Sequence, residues 1–438
     1  MMSKGSTKLL VIVGLVAILV CSWYMLLDET AKENNQYNQY ITVAREKAEM
    51  GLHQVALEQY DLARNMRDTI ELRNEMAEVY KDYGNSSLYE EFCSIIVTDF
   101  PMEKVGYERL ATFYAEREEY KLFYNIQKTA NKRGVVSSVI EDLAKEMEYV
   151  YSIGGINAAD VRNFAGGYCA AIRESGYWGL MNEKGKTALS YAYVKLGNYA
   201  NDLVFAETKN GDYVLMDIQG KYISRVTDDR KIEDCSVLNS GLMAVKYNGK
   251  YHYCDSSFNE LFGSYDYASV FTNGVAAVQN GGKWAIINEQ GKQVTDFVFD
   301  DVKLDELGVA FRGERAFAKK GGAYILIDTT GKQVGNGTWE DADVFGGDML
   351  AAVKKGGKWG FINADGKEVA ACNYQGARSF CNGLAAVQIG DKWGFIDSKD
   401  YTLKIDALFD DTRDFTKTGT VLVKSENDWQ VLQLYRMA

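Results

Sequence analysis

The ten residues Lys358–Lys367, KWGFINADGK, decide how this chain folds, because they return. KWGFIDSKDY follows at Lys392–Tyr401, and KWAIINEQGK precedes at Lys283–Lys292. Aligned on the aromatic residue, the matching positions are Trp178, Tyr213, Tyr251, Trp284, Tyr324, Trp359, Trp393 and Trp429. The steps between them are 35, 38, 33, 40, 35, 34 and 36 residues, so eight copies run at a mean period near 36.

Each copy has one grammar. An apolar run follows a glycine, as in GLMAV at Gly241, GVAAV at Gly274 and GLAAV at Gly383. A tight turn comes next, such as Asn248-Gly249, Gly281-Gly282 or Gly356-Gly357. Two-residue loops of this kind need positive φ and make hairpins. The aromatic strand follows, then a second turn opened by Asn or Asp and closed by Gly, as in Asn363–Gly366. There the side chain can bond the backbone two residues on while the glycine turns left-handed. A third extended run and an acidic turn lead to a short segment ending in Phe271, Phe345, Phe380 or Phe415. One copy is thus a meander of three or four short antiparallel strands. GLAAVQ and WGFI are apolar on both faces, and a strand buried on both faces needs a sheet on each side. Gly179, Gly360 and Gly394, each just after tryptophan, are expected to let the next sheet approach closely.

GYWGLMNEKGK, GKWGFINADGK and DKWGFIDSKDY resemble the WG-repeat family, and the resemblance covers about residues 150–438. It implies a β-rich repeat of exported and surface proteins with little assigned chemistry. Two departures stand out: no copy has the usual proline, and Tyr replaces Trp at 213, 251 and 324. Eight such sheets suit an eight-bladed β-propeller or, alternatively, an open β-solenoid. The chain ends favour the ring. The last copy stops at Ala438 without a third strand, and EYVYSI, Glu148–Ile153, stands ahead of the first copy. Tyr149–Ile153 is expected to pair with the strand around Trp429.

The rest divides into three. Leu9–Leu27 is uncharged, preceded by Lys4 and Lys8 and followed by Asp28, Glu29 and Glu33. It reads as a transmembrane anchor with residues 1–8 cytoplasmic and the bulk of the chain extracytoplasmic, in preference to a cleaved signal or a lipidated Cys21. Residues 30–147 have helical periodicity, interrupted at Gly51-Leu52-His53, Gly84-Asn85-Ser86 and Glu118-Glu119. Ala48, Gly51, Tyr60 and Ala63, then Tyr80, Gly84 and Pro101, resemble a tetratricopeptide repeat; a plain helical bundle is the alternative. Residues 148–438 form the β-repeat domain.

Composition limits the chemistry. The chain has 438 residues and a net charge of −12, which gives no global field for nucleic acid. Its two histidines, His53 and His252, leave little for histidine catalysis or metal binding, and no CxxC pair occurs among its seven cysteines. We expect no enzyme, no cofactor and no metal, and buried free thiols. Two sets of positions recur around a ring. The eight aromatics could stack on a cell-wall glycan but fit packing between sheets. Asp228, Asp229, Asp300, Asp301, Glu340, Asp341, Asp410 and Asp411 would line one rim, able to attract a basic peptide, a polyamine or Ca²⁺, or simply to close turns. The resulting expectation is a membrane-anchored extracytoplasmic scaffold for a protein or peptide partner, with a cell-wall carbohydrate-binding module as the alternative.

Overall fold

The computed structural model describes the backbone of residues 4–437, and side chains at residue 15 and from 18 to 436. The chain divides into two units, Met1–Glu148 and Tyr149–Ala438.

The first unit is helical: α1 (Lys4–Glu49), α2 (His53–Met66), α3 (Ile70–Asp82), α4 (Ser86–Asp99), α5 (Lys104–Glu116), α6 (Tyr120–Lys132) and α7 (Ser138–Glu146). The turns ahead of α2, α4 and α6 fall where the periodicity breaks, with Gly51 at φ +73°, Gly84 at +76° and Glu118 at +59°. Thr69, Asn85 and Ser137 each accept an N-terminal backbone N–H of the helix they precede. Small residues at the contacts, among them Ala44, Ala56, Ala63, Ala77 and Ala111, are fully buried and let paired helices pack closely. Arg73 of α3 binds Asp68 and Asp99, both at 2.8 Å, and ties two pairs together.

The anchor expectation is corrected. Among the described residues no helix is long and apolar enough to cross a membrane. Side chains of 9–14, 16 and 17, within the expected Leu9–Leu27 segment, lie outside the described residues. The single-pass placement is therefore not sustained.

The second unit is a ring of eight sheets, an eight-bladed β-propeller. Blade 6 shows the plan: an inner strand Asp341–Ala342, a second strand Leu350–Lys355, the aromatic strand Lys358–Asn363 and an outer strand Glu368–Tyr374. Register is kept round the ring. In blade 6, Asp341 lies opposite Lys354 and Lys354 opposite Trp359. In blade 8, Asp411 lies opposite Lys424 and Lys424 opposite Trp429. Blades 4 and 5 lack a regular outer strand and keep only bridges, Trp284 with Phe299 and Tyr324 with Trp339.

The two-faced strands are sandwiched as their pattern requires. In blade 7, Leu384 and Ala386 pack with Val421 and Val423 of blade 8, while Ala385 and Val387 pack with Ala352 and Phe361 of blade 6. Closure is by the N-terminal strand of the unit: Tyr151–Gly155 pairs antiparallel with the last strand, Tyr151 opposite Leu434 and Gly155 opposite Gln430. The ring is thus closed, and the solenoid alternative falls. One detail differs from expectation. A Cβ on Gly360 would meet Ala370 O at 2.6 Å and Cys372 N at 2.7 Å, and one on Gly394 would meet Ala407 N and Ile405 O at 2.7 Å. These glycines admit a bulge of the outer strand in their own blade, not the neighbouring sheet.

Candidate functional site

The inner strands begin at Asp160, Lys195, Asp234, Tyr267, Asp301, Asp341, Gly376 and Asp411, one per blade. In seven blades the second strand begins 8 or 9 residues later; in blade 5 it begins 14 later, at Arg315. The extra residues turn into the axis. Asp305 shapes the loop: its carboxylate accepts the N–H groups of Leu307 and Val309, both at 2.9 Å, and pairs with Arg312. Gly308 takes the left-handed conformation at φ +79°. Glu306 then reaches the far side of the ring. Its carboxylate accepts the Asn163 N–H at 2.6 Å, its backbone carbonyl accepts the Asn198 amide at 2.7 Å, and Arg413 lies at 3.9 Å.

This plug adjoins two cavities, and Glu306 and Leu307 line both. The smaller, about 310 Å³, lies beside the inner strands of blades 1–4, walled by Arg162, Trp178, Phe205, Asp234, Tyr251 and Tyr267. The larger, about 520 Å³, lies among loops that follow inner strands, including Gly166-Gly167, Gly346-Gly347 and Thr416–Thr418. Its lining holds five carboxylates (Glu183, Asp305, Glu306, Asp343 and Asp414) against the basic Arg312 and Lys417. Burial, reinforced by Asp414, pushes the Asp343 carboxyl up to about 6, although it accepts the Ser379 N–H at 2.9 Å. Arg378 stands beside Asp414 at 3.4 Å and leaves its Nε without a hydrogen bond.

Asp300-Asp301, Glu340-Asp341 and Asp410-Asp411 lie at the start of inner strands, at the end of the blades that carries the two-residue hairpin turns, whereas Asp228-Asp229 precedes its inner strand, Asp234–Cys235, by five residues. Most have partners there. Glu340 accepts the Gly356 and Gly357 N–H groups at 2.8 and 2.9 Å. Asp300 binds Lys283 at 2.5 Å, and Asp410 binds Lys392 and accepts the Glu426 N–H at 2.9 Å. Lys283 and Lys392 hold these two carboxyls below the usual range, as Arg230 does Asp228. Asp301 accepts the Tyr324 hydroxyl, Asp341 binds Lys303 at 2.6 Å and Asp411 binds Arg413 at 3.1 Å. Asp229 is exposed. Glu233 and Asp266, which capture the N–H groups of Gly249 and Gly281, play the same part but were not singled out in the sequence.

Of the repeat aromatics, Tyr213, Tyr251, Trp284, Tyr324 and Trp429 are buried, and Trp178, Trp359 and Trp393 half-buried. Several ring faces are covered by cations: Arg162 over Trp178, Lys303 over Tyr324 and Arg413 over Trp429, at 4.6, 4.6 and 4.4 Å. All seven cysteines are free thiols, four of them buried. Burial pushes Cys169 up to about 12, which keeps it protonated and unreactive.

The axial charges were missed in the sequence because the inner strands that carry them are only two residues long in most blades and leave no pattern to align on. The one available signal was the 40-residue step from Trp284 to Tyr324, the longest in the series.

No curated protein matches the chain. Solved structures similar to it include Hsv2 of Kluyveromyces lactis, 10% identical over 58% of this chain and 96% of that one, with a TM-score of 0.38. The Dos1 propeller is 12% identical over 65% of this chain and 94% of that one, with a TM-score of 0.40. The WD40 domain of SCAP from fission yeast is 6% identical over 66% of this chain and 99% of that one, with a TM-score of 0.42. The model of the WG containing repeat matches residues 178–213, 254–284, 326–359 and 359–393, so the C-terminal part of this chain carries WG containing repeats.

Proposed function

We propose that this chain is a non-enzymatic scaffold whose propeller holds a protein or peptide partner over the larger axial cavity. One observation carries the reading: the blade 5 loop fills the axis and leaves, at that cavity, five carboxylates against two basic side chains. A lysine or arginine of the partner fits that balance, and the surrounding loops supply shape. The paired helices, with a cavity of about 330 Å³ between Tyr89, Phe113 and Arg117, offer a second surface. The absence of enzyme chemistry is part of the proposal. Its support is that four of the axial carboxylates are engaged with backbone N–H groups or arginines and Glu183 with the Thr418 hydroxyl, and that His252 leans on Glu260 and Tyr247. The carbohydrate alternative finds less support, since five of the eight repeat aromatics are buried and Arg162 lies over Trp178, which leaves only Trp359 and Trp393 half-buried without such a cover.

Selection of random peptides against the full chain tests the scaffold. Selected sequences should carry Lys or Arg, bind more weakly as salt rises, and lose about tenfold in affinity with Glu183→Gln. Selection of acidic peptides would defeat the reading. So would saturable binding of a wall polysaccharide that disappears in a folded Trp359→Ala variant.

A further inference from the structure

Four blades place a cation two residues after the start of the inner strand: Arg162, Lys303, Arg378 and Arg413. Lys303 has Asp341 at 2.6 Å, Arg378 has Asp414 at 3.4 Å and Arg413 has Asp411 at 3.1 Å. Arg162 breaks the pattern. Among the described residues no carboxylate pairs with it, and its one hydrogen bond runs from Nη1 to the Leu196 carbonyl at 3.0 Å. The Nε–Nη2 edge, which suits a carboxylate best, has no protein partner there. The guanidinium carbon sits over Trp178, 4.6 Å from the ring centre, a second contact that holds the group beside the cavity.

Its setting is a built cavity. The volume of about 310 Å³ stands at the lower end of small-ligand pockets, and Trp178, Phe205, Tyr251 and Tyr267 give it aromatic walls. The other charges there are occupied. Asp234 accepts the Tyr251 hydroxyl at 2.7 Å, Lys195 pairs with Glu207 at 3.3 Å, and Glu306 takes the Asn163 N–H. Burial lowers the Arg162 pKa, and the nearby Glu306 and Asp234 carboxylates, neither in contact with it, offset this only in part.

We propose that the Arg162 cavity binds a small organic carboxylate, whose two oxygens take the Nε–Nη2 edge while its apolar body lies among the aromatic walls. The group is either a free acid or the C-terminus of a peptide. The site is separate from the larger axial cavity and does not depend on the scaffold reading.

Calorimetric titration of the full chain with N-acetylphenylalanine, its amide and free phenylalanine tests this. The acid should bind saturably and the neutral amide at least about tenfold more weakly. Arg162→Gln should weaken the acid by about tenfold and leave the amide unchanged, with Arg162→Lys between the two because it keeps the charge and loses the fork. Tighter binding of the acetylated acid than of phenylalanine points to a peptide terminus; the reverse points to a free amino acid. Should the variants fail to fold, the acid-against-amide comparison on the unaltered chain decides alone. Equal binding of acid and amide, or no binding of either at millimolar concentration, overturns the site.

Discussion

Individual residues in this ring are constrained by what stands directly against them, and two can be tested singly. Asp343 has its pKa pushed up to about 6, first by burial and then by Asp414. The folded protein therefore holds this proton where the unfolded chain has lost it. The stability it contributes is complete below the unfolded value near 4 and is lost as pH rises through about 6. Asp343→Asn is neutral throughout and can still accept the Ser379 N–H. Denaturant unfolding should show its stability relative to wild type rising by about 1–3 kcal/mol between acid and neutral pH. A difference that stays flat with pH would contradict the assignment. A Cβ on Gly394 would lie 2.7 Å from backbone atoms, which cannot move aside as a side-chain tip can. Gly394→Ala should destabilise by about 2–4 kcal/mol. Gly390→Ala, with φ +63° and nothing within 4 Å, should cost only about 1 kcal/mol of backbone strain.

At the scale of elements, the closing strand matters most. Tyr151–Gly155 comes from the opposite end of the unit's sequence to the strand it covers, so its contacts have the longest loop to close. Successive strand residues point their N–H groups in opposite directions, so one of any adjacent pair must face Gln430–Leu434. Replacing both Ser152 and Ile153 by proline should therefore remove a ladder bond and cost about 3 kcal/mol. Hydrogen exchange should then rise first at Thr420–Leu434, the strands of blade 8, and spread last to blades 3 and 4. Uniform exchange round the ring would mean that the closing strand is incidental.

For the molecule as a whole, the blade 5 loop decides what the axis is. Eight blades leave room along the axis, and Asp305–Gly308 occupies it through Asn163, Asn198 and Arg413. The loop has two parts: Leu304, Ala310 and Phe311 pack in the core between blades 4 and 5, whereas Asp305–Gly308 reach the axis outside that core. Removing five residues from within 303–309, to the length found in blade 6 and with Ala310 and Phe311 kept, should therefore leave far-ultraviolet circular dichroism unchanged. It should lower stability by about 2–3 kcal/mol, since Arg413 and the Asn163 N–H lose a partner. Loss of all cooperative unfolding would show instead that the plug is part of the core.

Sequence alone determined the repeat, its period and the meander within each copy. Turn glycines and two-faced apolar runs act locally or between identical neighbours, so one copy read correctly stands for eight. It also located the closing strand, because a missing strand at one end and a spare one at the other are both visible in the count. The interhelical turns were legible for the same reason: Gly51 and Gly84 mark left-handed positions that other residues adopt at a penalty. What only the tertiary structure decided lies on the axis. Arg162, Glu306, Asp343 and Asp414 are up to 252 residues apart, and nothing within a single copy shows which of them is paired and which is not. Their meaning comes from facing one another across a closed ring, in a space of low dielectric where an unpaired charge matters. No local pattern encodes that distance, and closure of the ring alone sets it.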